Sequence, residues 1–330
     1  MPDPQLLAEA TRGPFVESRH VGHVVIAHAS GRVVESWGDA EALIYARSAS
    51  KCLQALPMVM SGAATSLTRK QLALACSSHS AETRHIELVR GWLSDLGLDE
   101  HALCCGPQPS RDEALAEEMI RSGTPVTPAF NWCSGKHSGF LTLAKHLGAS
   151  LDYVDIGNPV QVAVRDAFEE ITGEDSPGYG YDGCSAPNFA SSLAGMARAV
   201  ARVAGSADQS DTRGRAAAVL LDAMLAHPEM VAGTGRLDTE LVKHAKEPVV
   251  LKSGAEGFYT AIIPGQKLGI ALKCADGADR AAMVAITALL VRLGVLSDSD
   301  PGVRAFLNPK IRNWAGLEVG ELRPSPGLLS

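Results

Sequence analysis

The chain has 330 residues, 46% of them hydrophobic and 20% charged, which is enough to bury one large core or two modest ones. A formal charge of -7, no long Lys/Arg block and only 5% aromatic residues argue against nucleic acid or an acidic membrane surface as a partner and favour a small molecule. The opening "MPDPQLLAEATRG" lacks the basic and apolar regions of a secretory signal, and no long uncharged apolar run follows, so a cytoplasmic protein without a membrane span is expected.

Along the chain, "PFVESRH", "GHVVIAHAS" and "RVVESWG" are short apolar or alternating runs separated by glycine, which predicts three antiparallel strands in a meander. From Ser50 to about Leu241 the periodicity is helical, with helices predicted near 50–61, 69–76, 81–96, 113–122, 137–147, 159–172, 189–204, 211–226 and 238–245. Asn158 before Pro159, and Asp211, are natural N-caps. Pro57 conflicts with a continuous first helix, because it removes a backbone donor. Strands return in "PVVLKSG", "GFYTAIIP" and "KLGIALKC", followed by the apolar helix "DRAAMVAITALLVRLGV", expected in the core, and a loop-like tail with one weak strand, "GLEVGEL".

Strands at both ends with helices between them predict an α+β fold, an α/β sandwich in which one antiparallel sheet is assembled from the N- and C-terminal strands. The first and last helices would cover the sheet, and a mainly helical region is inserted. The expected lobes are a sheet lobe at about 1–62 and 246–330 and a helical lobe at about 63–245, forming a single catalytic unit.

Seven cysteines, an odd number scattered over this length, do not form a disulfide framework, so reduced thiols are expected. Cys52, Cys76 and Cys274 lie in apolar segments and read as small buried hydrophobes, whereas Cys104 and Cys105 are ambiguous. Cys133 in "NWCSGKHSG" and Cys184 in "GYGYDGCSAPN" lie among glycine and polar residues instead. The two could share a mixed-ligand zinc site, and His137 and Asp182 are the first choice of further ligands because a lysine must lose its proton to bind a metal. A tight glycine loop without a ligand is the alternative.

"RSASKCLQALPM" places Ser48 three residues before Lys51 at the head of a helix. A serine hydroxyl becomes a nucleophile only when a nearby base takes its proton, and lysine serves as that base when burial or another cation disfavours its charge. Ser48 could equally be a helix cap. Lys252-Ser253-Gly254, ending a predicted strand, has the form of the K-[ST]-G element that accompanies S-x-x-K in acyl-serine enzymes. In "ACSSHSAETRH", Ser80 reads as an N-cap with possible catalytic use, and His79 and His85 read as surface or capping residues.

Together, "RSASKCLQALPM", "SSHSAE", "NWCSGKHSGFL", "GYGYDGCSAPNF" and "LKSGAEGFY" resemble the Rhizobium-type, or class 3, L-asparaginases, in the same order and over nearly the whole chain. The resemblance implies a fold related to serine β-lactamases, penicillin-binding proteins and glutaminases, and a homodimer that hydrolyses L-asparagine to L-aspartate and ammonia. It implies two Ser-Lys pairs, Ser48 with Lys51 and Ser80 with Lys252. It further implies one zinc ion per chain on Cys133, Lys136 and Cys184, with Arg47, His137, Asp182 and Gly254 around the substrate. A glutaminase, a penicillin-recognising acyltransferase and a non-catalytic zinc-stabilised amino-acid-binding module are the alternatives; a missing signal peptide and the cysteine pair count against the acyltransferase.

Overall fold

The computed structural model describes residues 2–329. In chain order its strands and helices are β1 (Gln5–Arg12), β2 (Phe15–His28), β3 (Val33–Trp37), β4 (Leu43–Tyr45), α1 (Lys51–Met60), α2 (Arg69–Ala75), α3 (Thr83–Asp95), α4 (Glu113–Ser122), α5 (Ser134–Leu147), α6 (Pro159–Thr172), β5 (Tyr179–Tyr181) and β6 (Pro187–Ser192). Then follow α7 (Leu193–Ala204), α8 (Thr212–Ala226), α9 (Pro228–Val231), α10 (Leu237–Glu240), β7 (Val250–Ser253), β8 (Phe258–Ile263), β9 (Leu268–Cys274), α11 (Asp279–Arg292), α12 (Pro301–Leu307), β10 (Lys310–Arg312) and β11 (Glu318–Pro324). The fold is α+β, in two compact units: residues 1–49, 191–205 and 240–330 form one, and residues 50–190 and 206–239 the other.

The first unit is built on an antiparallel sheet in the order β10-β11-β1-β2-β9-β8-β7, with β3 also pairing β2. The N-terminal strand closes against the C-terminal one, Ala8 opposite Pro324. The expected break at Gly22 does not occur: β2 is one long strand, and the glycine is needed because a Cβ there would lie 2.1 Å from the Lys273 carbonyl of β9. β1, hidden in "QLLAEATR", was not expected as a strand.

The helices that cover this sheet are α7, against β2, β8 and β9, and α11, against β1, β8, β9 and β11. The expected first helix is not one of them, since α1 clusters with the helices of the second unit. The reason lies in close approach. A Cβ on Gly269 of β9 would sit 2.3 Å from the Ala201 amide and 2.7 Å from the Ala197 carbonyl, so a glycine opposite an alanine-rich helix lets α7 reach the sheet. Residues 189–192, expected to open a helix over 189–204, instead end strand β6, and the tail contains α12 and β10.

In the second unit α1 packs against α5, α6 and α8 and is buried from Lys51 to Met58. The helix runs through Pro57, and the Ser61 amide still donates to the Pro57 carbonyl at 3.0 Å, so the ring costs the turn one donor without ending it. β5 and β6 form a short hairpin, Tyr181 opposite Pro187, that carries Asp182 and Cys184 in its turn. No helix among the described residues is long and apolar enough to cross a membrane.

Candidate active site

In the helical unit Cys133 reaches Lys51 in the first turn of α1. Lys51 is fully buried, and its Nζ donates to the Ser77 carbonyl (2.5 Å), to Ser78 Oγ (2.9 Å) and to Cys133 Sγ (3.2 Å). Ser48 lies just before, half-buried in a single 3-10 turn (Arg47–Ser50). It is not the helix cap, because the residue flanking α1 is Ser50, whose side chain makes no capping bond.

α5 starts at Ser134, earlier than expected, which puts both Lys136 and His137 in its first turn and Cys133 at its N-cap position. Lys136 Nζ donates to Cys184 Sγ at 3.1 Å, and the Cys133 thiol donates to the same sulfur. That hydrogen bond, with burial, pushes the Cys133 thiol up to about 12, while it holds Cys184 well below the ordinary thiol range with help from Lys136. Burial presses the Lys136 amine down, and the sulfurs of Cys184 and Cys133 outweigh it, so its proton is held more tightly than usual.

His137 is also buried, and this keeps its imidazole neutral, with the Lys136 ammonium adding to the effect. Its Nδ1 meets the Tyr153 hydroxyl at 2.8 Å, and its Nε2 has no partner among the described residues. Asp182 is half-buried and accepts the Gly183 amide at 2.7 Å. Cys184 thus has Lys136 and Cys133 as hydrogen-bond partners, rather than the His137 and Asp182 that ligand chemistry alone would choose. Among the described residues no three His, Cys, Asp or Glu side chains gather as a metal-binding group. Two thiols with a lysine amine nonetheless make a donor set that suits a soft divalent ion such as zinc, once the amine has lost its proton.

Ser80 is not an N-cap. α3 is capped at Glu82, whose amide donates to His85 Nδ1 at 3.1 Å, and Ser80 Oγ instead donates to the Ala232 carbonyl at 2.9 Å. Gly233, at φ +118, closes over this hydroxyl, and a Cβ there would lie 2.6 Å from Ser80 Oγ. Ser80 also lines an open cleft of about 800 Å³ together with Glu82, Arg84, Ser110, Arg111 and Arg236. Sequence reasoning missed these arginines, since nothing in the spacing of 84, 111 and 236 joins them.

His79 and His85 are buried rather than at the surface, stacked with ring centroids 5.0 Å apart. His79 Nδ1 accepts the Ala81 amide, so its Nε2–H donates to Ser134 Oγ at 2.9 Å, and Ser134 donates onward to the Ala129 carbonyl. His85 Nε2–H donates to the Glu229 carbonyl at 2.9 Å. Burial keeps both rings neutral, His79 the more strongly.

In the sheet unit Lys252 is buried at the end of β7, opposite Thr260 of β8, and its Nζ donates to the Ser253 carbonyl at 2.8 Å. Gly254 follows because the chain must pass close by: a Cβ there would be 2.6 Å from the carbonyl of Ala46. This contact sets the Lys252-Ser253-Gly254 strand end against the segment that leads into Arg47 and Ser48. Arg47 itself sits at φ 49, a left-handed conformation that a non-glycine residue adopts only where its surroundings hold it.

The family model for L-asparaginase II matches residues 8–324. The chain belongs to the L-asparaginase II family. The amidohydrolase class expected from the five motifs is that family's class. Among solved structures the chain is similar to Mglu in its glutamate form, at 14% identity, covering 84% of this chain and 62% of that one, with a TM-score of 0.45. It therefore spans about three fifths of Mglu's length. A β-lactamase from Mycobacterium bovis (16% identity, 83% and 95% covered, TM-score 0.44) and a class C β-lactamase from Rhodobacter sphaeroides (17%, 81% and 92%, TM-score 0.43) are similar too. A search of curated proteins found no match.

Proposed function

We propose that this member of the L-asparaginase II family hydrolyses the side-chain amide of L-asparagine through a serine–lysine mechanism, releasing L-aspartate and ammonia. The observation that carries the reading is the fully buried Lys51 amine, seated on Ser78 and Cys133 three residues after Ser48. A hydroxyl next to such an amine has a base to receive its proton. Ser48 Oγ attacks the amide carbon and passes its proton to Lys51, and the tetrahedral oxyanion is met by backbone donors. The proton moves on to the leaving nitrogen, ammonia departs, and water attacks the acyl-serine with Lys51 again taking a proton. Ser80 and Lys252 relay protons and hold the nucleophile in place. Arg47, Gly254, His137 and Asp182 are assigned to substrate binding.

Cys133, Lys136 and Cys184 would hold one zinc ion per chain. When bound, the ion would supply a Lewis-acid centre for the α-carboxylate and, once deprotonated, the α-amino nitrogen of the amino acid. The donor set favours this assignment because two sulfurs and an amine already share one set of hydrogen bonds. We further propose a homodimer, which sedimentation velocity checks directly.

The test is ammonia release from L-asparagine and L-glutamine by purified protein, wild type beside Ser48→Ala, with zinc measured on the same samples. Release from asparagine that is lost in the variant supports the reading. Release of equal efficiency from glutamine moves it to a glutaminase, since one methylene is worth only about 1–3 kcal/mol in a pocket. Silence on both amides in zinc-replete protein overturns it in favour of a binding module.

A further inference from the structure

The open cleft of about 800 Å³ in the helical unit is walled by three arginines drawn from separate places in the chain: Arg84 in the first turn of α3, Arg111 just before α4 and Arg236 just before α10. A space of this size suits a small-molecule ligand. Its charges are not equally available. Arg84 pairs with Glu82 at 2.7 Å and donates to Thr234 Oγ1 at 2.9 Å. Glu82 also accepts the Thr234 amide at 2.6 Å, and Asp112 accepts the Leu115 amide at 3.2 Å as the cap of α4. Two of the three carboxylates on the cleft are therefore engaged by the protein itself; Glu113, exposed in the first turn of α4, is the third.

Arg111 and Arg236 are placed differently. The Arg111 guanidinium lies over the Trp132 ring, 3.3 Å from its centroid, and that indole is fixed in turn by donating Nε1–H to the Pro109 carbonyl at 2.9 Å. The Arg111 amide donates to the Ser80 carbonyl at 2.9 Å, so backbone and side chain are both held. Stacking uses the face of a guanidinium and leaves its N–H edge to meet an acceptor, with little freedom left to lose. Arg236, half-buried, has no ion pair among the described residues, and its Nε is buried without a hydrogen-bond partner. The caps of α3 and α4, Glu82 and Asp112, both line the cleft, so two helix N-termini add to the preference for negative charge.

We propose that this cleft binds an oxyanion carried on a small molecule, a carboxylate or a phosphate, through Arg111 and Arg236. Guanidinium forks match either group, and such charge-assisted hydrogen bonds are the strong ones. Ser80 forms part of the wall, but its hydroxyl is turned to the Ala232 carbonyl, so the anion is held by groups other than the serine–lysine pairs. The site stands whether or not the chain hydrolyses asparagine.

The full-length protein is titrated by calorimetry with sodium phosphate and, separately, disodium succinate at neutral pH and fixed ionic strength. One saturable site is expected, and the tighter-binding anion names the group its natural ligand carries. Arg236→Gln should weaken that binding by about 10-fold or more, through loss of a charge-assisted contact. Glu113→Gln, which takes a carboxylate off the same cleft, should tighten it by about 2- to 5-fold. Arg121→Gln removes the same charge as Arg236→Gln from an exposed position on α4 that does not line the cleft, and should leave binding unchanged. Binding insensitive to Arg236→Gln, equal weakening by Arg236→Gln and Arg121→Gln, or no saturation by either anion below about 10 mM overturns the proposal. Should Arg236→Gln fail to fold by its far-UV spectrum, Glu113→Gln decides: tighter binding supports the site, and unchanged or weaker binding overturns it. Ammonia release from L-asparagine by the same preparation tests the asparaginase reading separately, and neither result depends on the other.

Discussion

In the sheet unit β8 is buried at every position and β9 at most, their side chains almost all apolar and their polar backbone groups paired strand to strand. In the helical unit the first turns of α1 and α5 bury two lysines, a histidine and a serine, and there much of the pairing is done by side chains. The first region tolerates exchange of one apolar group for another of like volume, because burial is non-directional. The second does not, because its polar groups depend on a few named partners, and removing one costs the others a hydrogen bond in a dry interior. The sheet's exception is Lys252, buried at the end of its edge strand β7.

If the polar interior serves chemistry while the sheet serves support, the largest effect should come from a residue that adds almost nothing to packing. Ser48→Ala should lower ammonia release from L-asparagine by about 10⁴-fold or more with the far-UV spectrum unchanged. A residual rate near wild type would move the nucleophile to Ser80, and the same assay on Ser80→Ala would then show it. Lys51→Met should combine both kinds of loss, a fall of about 10²- to 10⁴-fold in turnover and about 1–3 kcal/mol in stability. The stability part follows from the loss of the buried hydrogen bonds from Lys51 to Ser78 and Cys133, and a urea titration reads it separately from the assay.

A purely steric change in the sheet should do the converse. Gly269→Ala drives a methyl into the backbone of α7 and should cost about 1–3 kcal/mol in the same titration, with turnover preserved in the fraction that folds.

The buried histidines offer a pH test. Burial lowers the folded values of His79 and His85 below the unfolded value, so below about pH 6.5 the unfolded chain binds protons that the folded chain does not. Stability should therefore fall as pH drops below 6.5, by up to about 1.4 kcal/mol per pH unit for each histidine. His85→Asn should reduce that slope, and an unchanged slope in urea midpoints between pH 7 and 5 would contradict the neutral, stacked pair. Smallest of all, Lys310→Ala removes exposed ion pairs to Glu318 and Glu321 and should change stability by less than about 1 kcal/mol.

The chain's own residues made parts of this legible and hid others for physical reasons. β7, β8 and β9 were readable because their β-branched and aromatic runs are bounded by glycine and proline. β1 was missed because "QLLAEATR" carries residues that favour helix and becomes a strand only by pairing with β2 and β11. Gly22 looked like an interruption and Gly269 passed as one more residue of its strand, but both mark close backbone approach, which one sequence cannot distinguish. α7 was readable as a helix but not as the cover of the sheet, because its partner lies some seventy residues later. Among candidate site residues, the Lys51 pocket was half legible: burial followed from the apolar run after it, whereas its contacts with Ser78 and Cys133 depend on loops 27 and 82 residues away. The capping role of Ser80 was misread because its neighbours fit the pattern, and Glu82 with His85 supplied the cap instead.

The antiparallel pairing of β1 with β11 has a consequence for how the protein is made. Ala8 must wait for Pro324 before its strand is flanked on both sides, a delay of roughly 15 to 60 s at bacterial-type elongation speeds of about 5–20 residues per second. For most of that interval, until Leu268–Cys274 emerges, β2 with its "HVVIA" core has β1 and β3 to pair with but not β9, so one long apolar edge leaves the ribosome uncovered. The helical unit, whose last residue is Thr239, can meanwhile complete its contacts. The nascent chain thus carries a finished half and an open sheet at once, and its yield in cells should depend on holdase chaperones more than its final stability suggests.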